Sequence, residues 1–401
     1  MKNELSTEQQ NAVDGILDAI HCGADIVLLS GAAGTGKTTT MKALALRLPD
    51  AVLSAPTLRA AAVLARKTGM EAASFHSATM IPKFREPLPA LLHWIEHLGR
   101  SQSPPNDVMR RWPGNWWRTA KNEQEVFYRL GIGSTMEWIE AWVPQAEQPG
   151  VLIVDEASML SVELLDTAKA VYGQIILVGD PQQLPPVSGI PALSVVEPDW
   201  CFHLTQIHRQ EDGSPLLDVA HNAFQTGFID APKRDYTAQD ARNGVPILCW
   251  RNETRKARTA QIRALLGHPE GQLATGEPLV CKATRPKERE RGFTNNSSWI
   301  VAGFEDGRYW LTDEAGNKHL VKVAMEGWSQ PDGIKFQFGY ALTVHMAQGG
   351  EWPVVSVDAV DANAIAYKSP LRQVQTWAYT AVTRASTEFF LVDTVTAGGE
   401  Q

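Results

Sequence analysis

The eight residues Gly31-Ala32-Ala33-Gly34-Thr35-Gly36-Lys37-Thr38 constrain this chain more than any other segment. They have the form G-x-x-x-x-G-K-T. They stand between a short apolar run, Ile26-Val27-Leu28-Leu29, and a stretch of helical apolar spacing from Thr38 to Arg47. Strand, glycine-rich loop and helix in that order build a phosphate-binding loop. The glycines let backbone N–H groups close on a phosphate, and the helix N-terminus adds partial positive charge. Lys37 would reach the β- and γ-phosphates and the Thr38 hydroxyl would serve Mg²⁺. Gly31, Gly34, Thr35, Gly36 and Thr39 complete the cradle.

The surrounding rhythm agrees. Ala51 to Ala55, Val151 to Val154 and Ile175 to Val178 read as buried strands, with a helix from Val162 to Val171 between the last two. Near-continuous apolar strands separated by helices imply a parallel sheet covered on both faces, hence an α/β fold. Asp155-Glu156 follows the strand Val151 to Val154 at its carboxyl end, where open α/β sheets bind ligands. Asp155 would hold Mg²⁺ through water, and Glu156 would act as general base on the attacking water. The competing reading makes both acids caps of the following helix. Together the two motifs imply a nucleoside triphosphatase, a class shared by clamp loaders, transport ATPases and signalling switches.

Composition narrows the class. With 401 residues and 44% hydrophobic content, the chain suits two or three globular domains. Its first residues lack the apolar run of a signal peptide, and no stretch approaches the roughly 20 apolar residues that span a bilayer. Cys22, Cys201, Cys249 and Cys281 lack metal-site spacing and read as buried thiols rather than bridges. The expectation is a cytoplasmic protein with no membrane contact. A net charge of −8 argues against coating nucleic acid by charge alone, yet leaves room for a narrow basic groove. Two runs are locally basic: Arg251 to Arg263, with five basic residues against one Glu, and Pro278 to Arg291, with five against two. Each reads either as solvated surface or as nucleic-acid contact.

Two segments break the alternation. Residues 81–147 hold six of the thirteen tryptophans (Trp94, Trp112, Trp116, Trp117, Trp138 and Trp142) and a Ser-Gln-Ser-Pro-Pro-Asn turn at 101–106. Such aromatics stack on single-stranded bases or, more often, fill a small satellite core. After about residue 195 a second α/β pattern begins, with strands at Pro246 to Trp250, Val354 to Asp358 and Phe389 to Asp393. From 264 to 338 it is interrupted by β-like runs at Leu279 to Lys282, Trp299 to Ala302, Tyr309 to Thr312 and His319 to Val323. Asp313 to Asn317 has hairpin-loop chemistry. A small β-barrel inserted in a second lobe fits this pattern.

Six further segments carry a resemblance. Leu5 to Gln10, Ala55 to Ala61, Gly179-Asp180-Pro181-Gln182-Gln183-Leu184-Pro185-Pro186, Leu204 to Arg209, Tyr340 to Gly349 and Tyr379-Thr380-Ala381-Val382-Thr383-Arg384-Ala385 follow one another along the chain. They resemble the Q motif and motifs Ia, III, IV, V and VI of superfamily 1 helicases, in family order. Ala73-Ser74-Phe75-His76-Ser77, the wording of motif V and the β-rich insertion before it are most similar to the RecD-type and phage Dda-type enzymes of the 5′→3′ branch. Met346 departs from that pattern where a Lys is usual, and Thr259 where an Asn is common.

The resemblance implies two RecA-like P-loop lobes. Residues 1–80 and 148–195 would form the first, and 196–263 and 339–401 the second. A Trp-rich insertion would occupy 81–147 and a small SH3-like β-barrel 264–338. It implies ATP and Mg²⁺ as ligands, Gln9 on the adenine edge, Gln183 sensing the γ-phosphate and Glu351 at the ribose. Arg209 and Arg384 would be arginine fingers from the second lobe, and Pro56, Thr57, His76, Thr343 and His345 would face DNA. The function implied is an ATP-dependent DNA helicase moving 5′→3′ on single-stranded DNA and opening duplex junctions. It would act as a monomer in a bacterial or phage-infected cell, with replication or recombination proteins as partners. The alternatives are a nucleotide-dependent single-strand binding or loading factor without processive unwinding, and an RNA helicase of the same superfamily.

Overall fold

The computed structural model describes residues 5–98, 103–120, 122–132, 138–206, 215–282, 288, 292–327 and 333–396. Helix α1 (Thr7–His21) leads into β1 (Ile26–Gly31), α2 (Lys37–Arg47), β2 (Val52–Ala55), α3 (Leu58–Thr68) and β3 (Ala73–Ser74). An antiparallel pair, β4 (Met80–Phe84) with β5 (Ile139–Pro144), brackets the insertion. Then β6 (Gln148–Val154), β7 (Tyr172–Gly179) and β8 (Trp200–Leu204) complete a six-stranded parallel sheet of order β3-β2-β6-β7-β1-β8.

Alternation along the strands covers that sheet on both faces. Ile153, Ile176 and Val178 join Val13, Ile16, Met41 and Leu64 in one core. Leu152, Val154, Ile175 and Leu177 join Phe75, Leu160 and Leu165 in another. Successive strand side chains point to opposite faces, so continuous apolar runs serve two cores at once.

The tryptophan-rich segment packs its own core. Trp94 and Trp117 are buried with Leu88, Leu91, Val108 and Val126, while Trp112, Trp116 and Trp138 pack against them. Trp94 meets Trp116 and Trp117 edge-on, with centroids 5.9 Å and 6.4 Å apart. Trp142 differs, standing 44% exposed on β5. Five of the six tryptophans therefore build the satellite core, and one is left facing solvent.

The second sheet contains β9 (Lys233–Tyr236) and β10 (Ile247–Cys249). The chain then leaves it for β11 (Pro278–Cys281), β12 (Ser298–Glu305), β13 (Arg308–Thr312), β14 (Lys318–Val321), β15 (Val323–Met325) and β16 (Ile334–Phe338). It returns through β17 (Ala341–Thr343), β18 (Trp352–Asp358) and β19 (Ala385–Val395), giving a parallel sheet of order β17-β10-β18-β19-β9. The excursion forms its own six-stranded sheet, β14-β13-β12-β11-β16-β15. The run expected as one strand, His319 to Val323, is two: Val321 pairs with Tyr309 on one edge, and Val323 pairs with Ile334 on the other. Only Lys322 separates these edge strands, so the sheet curls around Leu279, Phe293, Trp299, Leu311 and Phe336 until its edges come together.

The basic run Arg251 to Arg263 is engaged in ion pairs within the chain, with Arg255, Arg258 and Arg263 buried. Arg251 pairs with Asp361 at 2.6 Å, Arg255 and Lys256 with Glu326 at 2.8 and 2.9 Å, Arg258 with Asp358 at 2.6 Å and Arg263 with Glu277 at 2.8 Å. Asp358, Asp361 and Glu277 are fully buried, so the helix Asn252–Leu265 is tied to the sheet and to the insertion by charge. Losing one partner would strand a buried charge, a cost of several kcal/mol by general experience, about 3–5. The second basic run falls largely on 283–287 and 289–291, outside the described residues. All four cysteines are free; Cys249 and Cys281 are buried as expected, whereas Cys22 and Cys201 are exposed. No helix among the described residues is long and apolar enough to cross a membrane.

Candidate nucleotide site

The loop between β1 and α2 is a backbone cradle. Gly36 caps α2 at φ 81°, a left-handed conformation that a side chain would strain. Gly31 has no room for a Cβ, which would lie 2.6 Å from Thr35 Oγ1 and 2.9 Å from the Leu204 carbonyl. Lys37 folds its ammonium onto the loop, donating to the carbonyls of Gly31 and Ala32 at 2.8 and 2.9 Å. Those neutral acceptors hold the charge in place without cancelling it.

The cleft above this loop has a volume of about 730 Å³ and draws on both halves of the chain. Lys37, Thr38, Thr39, Asp155, Glu156 and Gln183 line one wall, while Gly350, Glu351, Thr383 and Arg384 line the other. Asp155 and Glu156 follow β6, and Glu156 takes φ 52°, a strained conformation for a residue with a side chain. Burial, and then the charge of Glu156, push the Asp155 carboxyl up to about 7. An anion held there at a cost suits a cation: a divalent ion would satisfy Asp155, with the Thr38 hydroxyl in the same cleft.

Gln183 is 6% exposed and its Oε1 is buried with no hydrogen-bond partner, a cost the chain sustains at the cleft wall. Arg384, 5% exposed, is aligned by the Thr380 carbonyl (3.1 Å), the Gly350 carbonyl (3.3 Å) and Thr383 Oγ1 (3.2 Å). It makes no ion pair among the described residues, so its charge is available to an anion in the cleft. Glu351 also lines the cleft and pairs with Lys67 at 3.2 Å. Lys67 was not expected here; it shares a helical face with Ala60, Val63 and Leu64 of α3, a spacing that could have flagged it.

Gln9, expected on the adenine edge, is not among the residues lining this cleft. Its Oε1 accepts from Ser6 N (3.0 Å) in a capping box, and its Nε2 donates to the Thr35 carbonyl (3.2 Å). Each polar end makes one bond, and through them the residue braces α1 against the phosphate loop. Arg209 lies outside the described residues. Pro56, Thr57, His76, Thr343 and His345 lie at or just after the carboxyl ends of β2, β3 and β17, and none lines the cleft. Thr57 and Thr343 spend their hydroxyls as helix caps, accepting from Ala60 N (3.1 Å) and Met346 N (3.4 Å). His76 is exposed, while burial lowers the His345 pKa.

A phosphate loop, an acidic pair after another strand of the same parallel sheet, and an arginine from a second parallel sheet that makes no ion pair among the described residues define a two-lobed P-loop architecture. Residues 4–241 match the AAA domain family, and residues 338–392 match the UvrD-like helicase C-terminal domain. The chain belongs to the AAA domain family. The ATP-dependent RecD2 DNA helicase of Deinococcus radiodurans is 26% identical over 430 residues, covering 98% of this chain. The chain spans 50% of the length of that relative. A structure of two Pif1 helicases unwinding forked double-stranded DNA has a TM-score of 0.56 at 18% identity, covering 98% of this chain and 93% of that one. Pif1 from Bacteroides with ADP-AlF3 and single-stranded DNA gives 0.53 at 18% identity (98% and 94% covered). Pif1 from Candida albicans gives 0.51 at 19% (97% and 94%). At these identities the likeness establishes a shared fold.

Proposed function

We infer that the chain is an ATP-dependent DNA helicase that walks along single-stranded DNA and opens duplex junctions. The observation that carries this reading is the cleft itself, which Lys37, Thr38 and Glu156 line from one lobe and Glu351 and Arg384 from the other. The lobe boundary expected at 195/196 shifts, because β8 (Trp200–Leu204) pairs with β1: residues 1–80 with 148–204 are read as the first lobe, and 205–263 with 339–401 as the second. The curled sheet within 264–338 supports an SH3-like barrel.

Lys37 would exchange its two carbonyl acceptors for the β- and γ-phosphates of ATP, and Glu156 would take the proton of the attacking water. Gln183, with a free acceptor oxygen, would orient that water, and Arg384 would meet the charge growing on the γ-phosphate. Thr38 and Asp155 would hold Mg²⁺, which when bound neutralises phosphate charge. ADP lacks the group that Arg384 recognises, so ATP favours closed lobes and ADP releases them. That differential affinity is what a ligand needs to drive a conformational cycle.

The 5′→3′ direction rests on the likeness of the segment after motif Ia, motif V and the β insertion to the RecD and Dda branch. The RecD2 relative is itself a DNA helicase, which favours DNA over RNA as the track. A monomer acting in the cytoplasm, where ATP and DNA meet, belongs to the same reading. The test is strand displacement on duplexes with a 5′ or a 3′ tail. ATP-dependent displacement supports the helicase; DNA-stimulated hydrolysis without any displacement would favour a loading factor.

A further inference from the structure

We propose that Tyr379 is a positioning residue that locks the phosphate loop, the Gln183 segment and Arg384 into one frame across the two lobes, a role that rests on the nucleotide-site reading above. Its phenol donates to Asp180 Oδ2 at 2.6 Å and accepts from the backbone N–H of Ala33 at 3.3 Å. Asp180 is 2% exposed, and its other oxygen accepts from Gln182 N at 3.0 Å. The next residue, Thr380, accepts through Oγ1 from Leu184 N at 2.9 Å, and Gln348 Nε2 donates to the Leu184 carbonyl at 3.1 Å. Gln183 is thus gripped on both sides by consecutive residues of the helix Leu371–Val382. The backbone of Thr380 also holds Arg384.

The consequence is geometric. Gln183 and Arg384 come from different sheets, yet both take their position from the Tyr379-Thr380 pair. Burial, then the Asp180 charge, raise the phenol far above its usual range, so the hydroxyl stays a neutral donor at any working pH. Removing it leaves a buried carboxylate oxygen without its donor and frees the half-buried Ala33 N–H, loosening both loops at once. The ring itself is held by an edge contact with Phe224, centroids 5.7 Å apart, so Tyr379→Phe keeps its packing.

Tyr379→Phe in the full chain should lower kcat for DNA-stimulated hydrolysis on the order of tenfold, the worth of one charge-assisted hydrogen bond, with ADP affinity and KM for ATP nearly unchanged. Asp180→Asn should fall similarly, and the double variant no further. In the nucleotide-free protein, amide hydrogen exchange at 31–36 and 179–184 should accelerate in Tyr379→Phe. A parental kcat, or losses that multiply in the double variant, overturns the proposal. If the parent chain did not hydrolyse ATP, the reading of the site would fall instead. The exchange experiment needs no nucleotide and judges the latch alone: equal protection in both proteins overturns it.

Discussion

Gln183 and Arg384 line one cleft from different lobes, the first with a partnerless buried acceptor and the second with a guanidinium that has no ion pair among the described residues. If both act on the γ-phosphate and its attacking water, their effects are coupled. Arg384→Ala should lower turnover on the order of 10³-fold with little change in nucleotide affinity. Gln183→Ala added to it should cost much less than it does alone. Steady-state kinetics on the four proteins decides; a loss confined to affinity would make Arg384 a binding group only.

Lys37→Ala and Glu156→Gln should each abolish DNA-stimulated hydrolysis, by about a hundredfold or more. They differ in binding. Glu156→Gln keeps the ammonium and the loop and should bind ATP as the parent does, whereas Lys37→Ala should bind weakly. Fluorescent-nucleotide titration beside a phosphate-release assay checks both, and near-parental turnover in either variant would remove the assignment.

The Asp155 carboxyl carries a pH signature. Its folded-state pKa of about 7 lies above the ordinary 3.8, so between those values the folded chain holds a proton that the unfolded chain has released. The stability this group contributes is full at low pH and is lost as pH rises through that window. The nucleotide-free parent should therefore lose melting temperature from pH 5 to 8 more steeply than Asp155→Asn, with the variant a few degrees more stable at pH 8. Mg²⁺ should recover part of that loss in the parent and none in the variant. Parallel pH profiles for the two proteins would sink the idea.

For Gln9 the sequence and the structure predict different outcomes. As an adenine reader, Gln9→Ala would erase preference for ATP over GTP and leave stability alone. As a brace between Ser6 and the Thr35 carbonyl, its loss should lower stability by about 1 kcal/mol and raise KM for both nucleotides alike. The second outcome is expected. Thermal melts and paired ATP and GTP kinetics separate them.

Direction of travel is the most exposed expectation. A 5′-tailed duplex should be unwound and a 3′-tailed one left largely intact. Efficient unwinding of the 3′-tailed substrate alone would overturn the branch assignment and leave the ATPase site untouched.

The phosphate loop, Asp155-Glu156 and most strands of both lobes were legible because each is written in consecutive residues. Glycines that allow a tight loop, an apolar run that fills two cores and an acid after a strand act locally. The short strands β3, β8, β9, β16 and β17 were not read, since two to five residues with a mixed pattern carry too little periodicity. The sequence by itself thus determined the kind of fold and several of the residues that gather at the cleft. Which charges and hydroxyls remain available was decided only by tertiary structure. The basic run from Arg251 to Arg263 spent its charge on Asp358, Asp361, Glu277 and Glu326, and Gln9 on the Thr35 carbonyl. Tyr379 found Asp180 at a separation of 199 residues. A polar side chain reveals what it can bond to, but its partner is set by the folded backbone, and desolvation then makes that choice binding.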